Sequence, residues 1–379
     1  IAYLETSRGC PFSCAFCLSG RCGGVRFFDL QRSKQNLLKL ANSGAKTIKL
    51  VDRTFNANRA RAYELFSFII ENSKNNIPQG VCFHFEIAGD LLDDATLELL
   101  AQAPRGLIQF EIGLQSFNEK TLSAIDRKTD LDRLKTNVQK LVAPRNIHVH
   151  IDLIAGLPYE DLESFKCSFN TAYSLSPDML QFGFLKLLHG SPMRTQPQKF
   201  ECEFEAEPPY QIKSTPWLSE EDIEGLKLME DMFDRLYNSG RFTSTLSYML
   251  AVTKLTPFEL FRSGAMHFSS KNFSKIPLDD FTSLIYGFFS KQQNTDTAAL
   301  RDAMTEDRLA TNSSGMLPEV LKVKDPSLKS YIMATEALHP RPKSVKRAYA
   351  ILYSQNCLCF CDYRNKCPVT GRYELKKLP

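Results

Sequence analysis

The sequence predicts an α/β protein: a partial (β/α)6, TIM-like barrel followed by a mainly helical C-terminal domain. Three observations lead there. Strand-like and helix-like stretches alternate through the first half of the chain, with about 30 residues per strand–helix unit. Such units, joined by right-handed crossovers, curl a parallel sheet toward a barrel. Beyond residue 217 the pattern becomes helical. A length of 379 residues suits one large and one smaller domain at roughly 150 residues each.

Taken in order, strands are expected at 1–5, 47–51, 81–87, 107–113, 147–153 and 179–187, where short apolar runs are bounded by turn residues. Helices are expected between them at 30–43, 59–72, 94–103, 131–142 and 162–175. Many of the strands read as apolar on both faces, as in a parallel sheet covered by helices. These elements make residues 1–192 the barrel, and its strand-end loops should carry the chemistry. Residues 193–217 hold Pro208, Pro209 and Pro216 among Glu201, Glu203, Glu205 and Glu207, and read as a linker or extended excursion. Residues 218–379 follow as the helical domain. Ser219 is an N-cap candidate with Asp222 in the first turn, and Pro257, Pro277 and Pro318 mark breaks. The aromatic, cysteine-rich last 35 residues suit a short β segment.

Composition narrows the function. With 43% hydrophobic and 24% charged residues the chain is ordinary globular, which argues against disorder and coiled coil. No apolar run reaches the length of about 18 residues that a membrane span needs, and no signal peptide opens the chain. A net charge of +4, with only short basic runs, argues against a nucleic-acid surface. The 11 cysteines, an odd number without secretory context, point to reduced thiols in a cytoplasmic protein, and where clustered to metal or redox chemistry. Cys82, Cys167 and Cys202 are isolated and read as small buried hydrophobes.

The first cluster follows the first strand directly: Cys10-Pro-Phe-Ser-Cys14-Ala-Phe16-Cys17. Three thiolates on one short loop can grip three corners of a cubane iron–sulfur cluster and leave the fourth iron open. A closed structural zinc site would need a fourth ligand, for which only Cys22 is near. Carboxylates and amides recur at later strand ends: Glu86 after the third strand, Gln115 and Ser116 after the fourth, Arg127 on the following helix, and Asp152 to Glu160 at the fifth. His148 and His150 share a strand face with Asp152 and read as a barrel-core pair.

The triad Cys10, Cys14, Cys17, with Phe16 before the third cysteine, resembles the signature of the radical S-adenosylmethionine (radical SAM) enzymes. The later motifs resemble those of its coproporphyrinogen dehydrogenase and elongator-like branch. The resemblance covers residues 1–190. It implies a [4Fe-4S] cluster on the three cysteines, and S-adenosylmethionine chelating the free iron and being reductively cleaved to start radical chemistry. It implies an electron donor such as flavodoxin or ferredoxin. By the same resemblance Glu86 approaches the methionyl amine, Arg127 the cofactor carboxylate, and Gln115 and Asp152 the ribose. Phe16 also borders the cofactor, and Ala155, with its neighbours Ile154 and Gly156, borders the adenine. The usual Gly-Gly-Glu of the second strand is replaced by Val51-Asp52-Arg53-Thr54, where Asp52 could accept from the amine or Arg53 could face another cofactor or the substrate.

Residues 51–58 and 185–191 resemble the radical SAM proteins that join a cobalamin-binding domain to a C-terminal domain of unknown function, DUF4080. That resemblance implies cobalamin held by an N-terminal domain, and the start at Ile1 raises the expectation that such a domain precedes these residues. Methyl transfer to a small-molecule or peptide substrate then leads, with catalytic residues unassigned. A non-catalytic metal-binding barrel and an RNA-modifying enzyme are the alternatives. The tail set Cys357, Cys359, Cys361, Cys367 could supply four thiolates, but three on one strand face make a poor tetrahedral clamp and are expected to be buried or idle.

Overall fold

A computed structural model describes residues 1–271 and 273–378, without the side chains of Cys22 and Ser274. It divides into two compact units, Ile1–Leu226 and Lys227–Pro379. In the first, six strands form one parallel sheet in chain order: β1 (Ala2–Leu4), β2 (Thr47–Leu50), β3 (Cys82–Ile87), β4 (Ile108–Gln115), β5 (His148–Ala155) and β6 (Met179–Phe184). The crossovers carry α1 (Leu30–Ala41), α2 (Arg59–Asn72), α3 (Asp94–Ala101), α4 (Leu131–Val142) and α5 (Leu162–Ser174). The α/β class and the six-strand partial barrel expected from the sequence are therefore present.

Helix starts follow local chemistry. Asp29, Asn58, Asp93, Asp130 and Asp161 each accept a backbone N–H of the first turn, satisfying donors that a helix leaves orphaned. The buried face of α2 includes Phe66, whose ring meets Phe85 of β3 at 5.2 Å and Phe110 of β4 at 5.6 Å. Phe165 and Phe169 of α5 meet Phe182 of β6 in the same way. The helices thus cover one face of the sheet with aromatic rings.

The other face is not apolar, and here the structure corrects the sequence reading. Paired residues of a parallel sheet share a face. The register aligns Lys49, His84, Gln109 and His148 in one row. Glu86, Glu111 and His150 form the next, and Asp152 with Gln181 the one above. Strict alternation, apolar toward the helices and polar toward the concave side, was masked by the bulky residues that sit at every second position.

Residues 193–217 hold a short helix (Pro192–Thr195) and an antiparallel pair, Glu203–Phe204 with Ile212–Ser214. Ile212 is fully buried, and its N–H donates to the Leu185 carbonyl beyond β6.

The second unit holds α6 (Glu220–Phe233, which starts in the first), α7 (Thr243–Thr253), α8 (Pro257–His267), α9 (Leu278–Phe289), α10 (Thr297–Thr311) and α11 (Leu328–Leu338). An antiparallel sheet of β7 (Arg347–Leu352), β8 (Cys357–Lys366) and β9 (Tyr373–Leu378) closes it. Cys359 and Cys361 are fully buried and pack with Leu309, Ala348, Ala350 and Leu352. Burial pushes both thiols up to about 12, so they behave as small apolar groups. Cys167, expected inside, is exposed, and Cys82 and Cys202 are half-buried. The reason for Cys167 is helical phase: α5 buries Phe165, Ser168, Phe169 and Ala172, and position 167 falls outside that stripe.

Candidate functional site

The loop after β1 is pinned before it reaches its first cysteine. Asp52, buried at the end of β2, accepts from the Thr6 N–H (3.0 Å), the Thr6 hydroxyl (2.7 Å) and the Ser7 hydroxyl (2.6 Å). Its carboxylate is thereby committed to one backbone N–H and two hydroxyls at the start of the cysteine loop, which weighs against the reading of Asp52, rather than Arg53, as the residue that faces a ligand. Further along, the Ala15 N–H donates to the Ile125 carbonyl and the Ala15 carbonyl accepts from the Met193 N–H. Gly20 crosses so close to the loop that a Cβ there would stand 1.9 Å from the Phe12 carbonyl oxygen.

Cys10 and Cys17 are half-buried and Cys14 is buried. Each has a polar neighbour at its sulfur. Cys10 Sγ lies 3.4 Å from the Thr54 hydroxyl, and Cys17 Sγ accepts from the Ser19 N–H at 3.4 Å. Cys14 Sγ accepts from Arg127 Nη1 at 3.6 Å. Burial pushes the Cys14 thiol up, and the Arg127 charge opposes that shift. Such donors stabilise sulfur-borne negative charge and tune a cluster's potential. A cavity of about 360 Å³ beside them is lined by Ser13, Cys14, Cys17, Gly20, Arg21 and Pro192. The Cys22 side chain lies outside the described residues.

Among the described residues no group of three or more His, Cys, Asp or Glu could hold a single metal ion. Thiolates on one tetrahedral zinc crowd to within about 4 Å of each other, given bonds of about 2.3 Å. A cubane makes no such demand, because each thiolate takes a different iron corner.

Arg127 lies in the loop before α4, not on a helix as expected, because the short helix Glu119–Ala124 ends at Ile125 and Asp126 turns into the left-handed region. That turn sends its guanidinium back over β4, where it donates to the Gly113 carbonyl, and its ring-side contact is Phe12. Gln115 ends β4 at φ +76°, and its amide nitrogen stands 2.6 Å from where a Gly113 Cβ would be. Arg127 Nε and Gln115 Oε1 are both buried without a hydrogen-bond partner. Both orphaned atoms belong to side chains that meet at Gly113, and one of those side chains reaches the Cys14 sulfur, which fits a polar ligand at this place.

On the concave face, Glu86 has Lys49 Nζ and Arg53 Nη1 each at 3.9 Å, beyond hydrogen-bonding distance. Burial and the neighbouring Glu111 charge hold its carboxyl above the usual range. Glu111 behaves oppositely: a hydrogen bond to His84 Nε2 (2.9 Å) and Lys49 Nζ (3.3 Å) hold it down to about 2. His150 Nε2 stands 3.0 Å from Asp152 Oδ1 without making a hydrogen bond to it. Ala155 is buried at the end of β5, and its carbonyl accepts from the Leu185 N–H. The room at Gly156 is taken by Ile212, whose Cγ2 would stand 2.9 Å from a Cβ there. Phe16 is half-buried in the cysteine loop. Sequence reasoning missed Lys49 and His84 as members of this face, although Lys49 and Thr47, then His84 and Glu86, carry the two-residue period that signals it.

Comparison with known proteins agrees. Residues 198–351 match the family described as protein of unknown function DUF4080. Over 179 residues the chain is 30% identical to 2-(S-pantetheinyl)-carbapenam-3-carboxylate methyltransferase of Streptantibioticus cattleyicolor, covering 44% of this chain and 24% of that protein. Over 206 residues it is 28% identical to the cobalamin-dependent radical SAM methyltransferase TokK of Streptomyces tokunonensis, covering 53% of this chain and 30% of that protein. The chain thus spans between a quarter and a third of the length of these relatives. It is also similar to the radical S-adenosylmethionine methyltransferase TsrM of Kitasatospora setae, with a TM-score of 0.46 at 19% identity over 51% of this chain and 36% of that one. Residues 4–171, which hold the cysteine loop and the first five strands, match the family described as the radical SAM superfamily.

Proposed function

We propose that this chain is the catalytic core of a radical SAM enzyme, in which Cys10, Cys14 and Cys17 hold a [4Fe-4S] cluster and the strand ends beside them hold S-adenosylmethionine. The observation that carries the reading is the meeting of the Cys14 sulfur with Arg127, and the orphaned polar atoms of Arg127 and Gln115 at the same place. A guanidinium there suits the cofactor's carboxylate, and an amide oxygen suits a ribose hydroxyl. Glu86 and Asp152, on the concave face, have acceptor capacity for an ammonium and a second hydroxyl. Phe16 and Ala155 complete the contacts. When bound, the cluster supplies the electron that reductive cleavage of the sulfonium needs, drawn from a flavodoxin- or ferredoxin-type donor. The chain's own residues bind, orient and desolvate. Residues 1–192 form this core, 193–217 the excursion, and 218–379 the DUF4080-type domain.

The relatives' activity favours methyl transfer with cobalamin supplied by a further domain, on a small-molecule or peptide substrate in the cytoplasm. No helix among the described residues is long and apolar enough to cross a membrane. Anaerobic reconstitution followed by dithionite reduction with S-adenosylmethionine tests the core reading. Wild type is expected to release 5′-deoxyadenosine or, with cob(I)alamin present to accept the sulfonium methyl, S-adenosylhomocysteine. C10A, C14A and C17A are each expected to lose iron and turnover together. A wild-type protein that takes up zinc but no iron and sulfide would overturn the assignment.

A further inference from the structure

Around Glu86 on the same face stand Lys49, His84 and Glu111, which the proposed cofactor contacts do not explain. Lys49 Nζ stands between two carboxylates, 3.3 Å from Glu111 and 3.9 Å from Glu86. The two acids come from adjacent strands and are paired in register, so their side chains share one face. Without a cation between them, two carboxylates this placed cannot both ionise cheaply. Glu111 is the one committed to its charge, because His84 bonds it from β3 and Lys49 from β2. Glu86 is the one left to respond.

We propose that Lys49 is a positioning residue for the ammonium end of S-adenosylmethionine, acting through Glu86. It offsets the Glu111 charge, so that Glu86 is an anion when an ammonium arrives, and it tethers the Glu86 carboxylate from below while leaving its hydrogen-bonding capacity free. The inference rests on the proposed function for the role of Glu86. It goes beyond it in assigning a task to Lys49, Glu111 and His84. The charged and titratable groups facing Glu86 are Lys49 and Arg53 from β2 and the loop after it, His84 from its own strand and Glu111 from β4. His150, from β5, faces Glu111 one strand further. Arg53 is mostly exposed, so solvent screens it more than Lys49.

The sign is fixed by the carboxyl. Burial already holds Glu86 above the usual carboxylate range. Removing Lys49 raises it further, so Glu86 takes up a proton at a higher pH and ammonium binding is lost as pH falls through that point. The test is a series of S-adenosylmethionine binding isotherms on the cluster-loaded protein from pH 6 to 9, with iron content checked for each variant. A carbon-13 NMR titration of the glutamate carboxyls in the cluster-free protein runs beside it. K49M is expected to fall behind wild type as pH drops through the raised Glu86 titration, by up to about tenfold for each unit of upward shift, and to bind as wild type does by pH 9. K49R keeps wild-type binding. K49M/E111Q, which removes both charges, restores binding near pH 6.5. The Glu86 resonance titrates at a higher pH in K49M than in wild type. A K49M deficit that is the same at every pH and is not relieved by E111Q overturns the proposal, as does an unmoved Glu86 titration. Failure of the underlying reading shows differently: E86Q then binds as wild type does at all pH values, while the NMR shift in K49M persists.

Discussion

Glu160 shows how much a single buried group can decide. It follows β5, is fully buried, and accepts from the hydroxyls of Ser116 and Ser168 through one oxygen while the other, Oε2, has no partner. Burial pushes its carboxyl up to about 7 against the pull of both hydroxyls. Ser116 also accepts from the Asn118 N–H, so the acid anchors the turn that presents Gln115. An unfolded glutamate ionises near pH 4.3. Between that pH and about 7 the folded form therefore binds the extra proton, and stability falls as pH rises across the window. E160Q mimics the protonated acid and removes the linkage. Thermal melts from pH 5 to 8 should show the E160Q melting temperature gaining on wild type up to about pH 7 and levelling above it. Parallel curves would mean that Glu160 is ionised in the fold.

At the scale of the element, the cysteine loop is built by tertiary contacts more than by its own turns. Asp52 holds its start, Ile125 and Met193 hold its middle, and Gly20 lets its return pass against Phe12. A methyl at position 20 must displace a backbone carbonyl, so G20A is expected to lower cluster occupancy severalfold and to destabilise the first unit by about 1–3 kcal/mol. Iron content with circular dichroism separates the two effects; unchanged iron and melting would show that the loop yields freely. The triad itself was legible, since C-x3-C-x2-C needs only spacing to be noticed. Arg127 was legible as a residue but not as a position, because the turn at Asp126 that aims it is a left-handed backbone choice with no strong sequence mark. The commitment of Asp52 was not legible because its three donors come from more than 40 residues away.

Across the whole molecule, eight cysteines fall into two clusters that look alike in sequence and differ in fate. In the tail, alternation along β8 turns Cys359 and Cys361 into an apolar layer against α10 and β7. Substituting all four of Cys357, Cys359, Cys361 and Cys367 by Ala should leave iron per chain unchanged after reconstitution, at one cubane's worth, while lowering the melting temperature. Loss of half the iron would reveal a second cluster. The six strands and the five intervening helices were determined by the sequence alone, because periodicity and capping are local and repeat along the chain. Which face of the sheet is charged, which acid pins a loop and which acid is left for a ligand were decided only by tertiary structure. Those properties depend on burial and on neighbours within a few ångströms, and residues such as Lys49, Glu86 and Glu111 become neighbours only when distant strands are laid side by side.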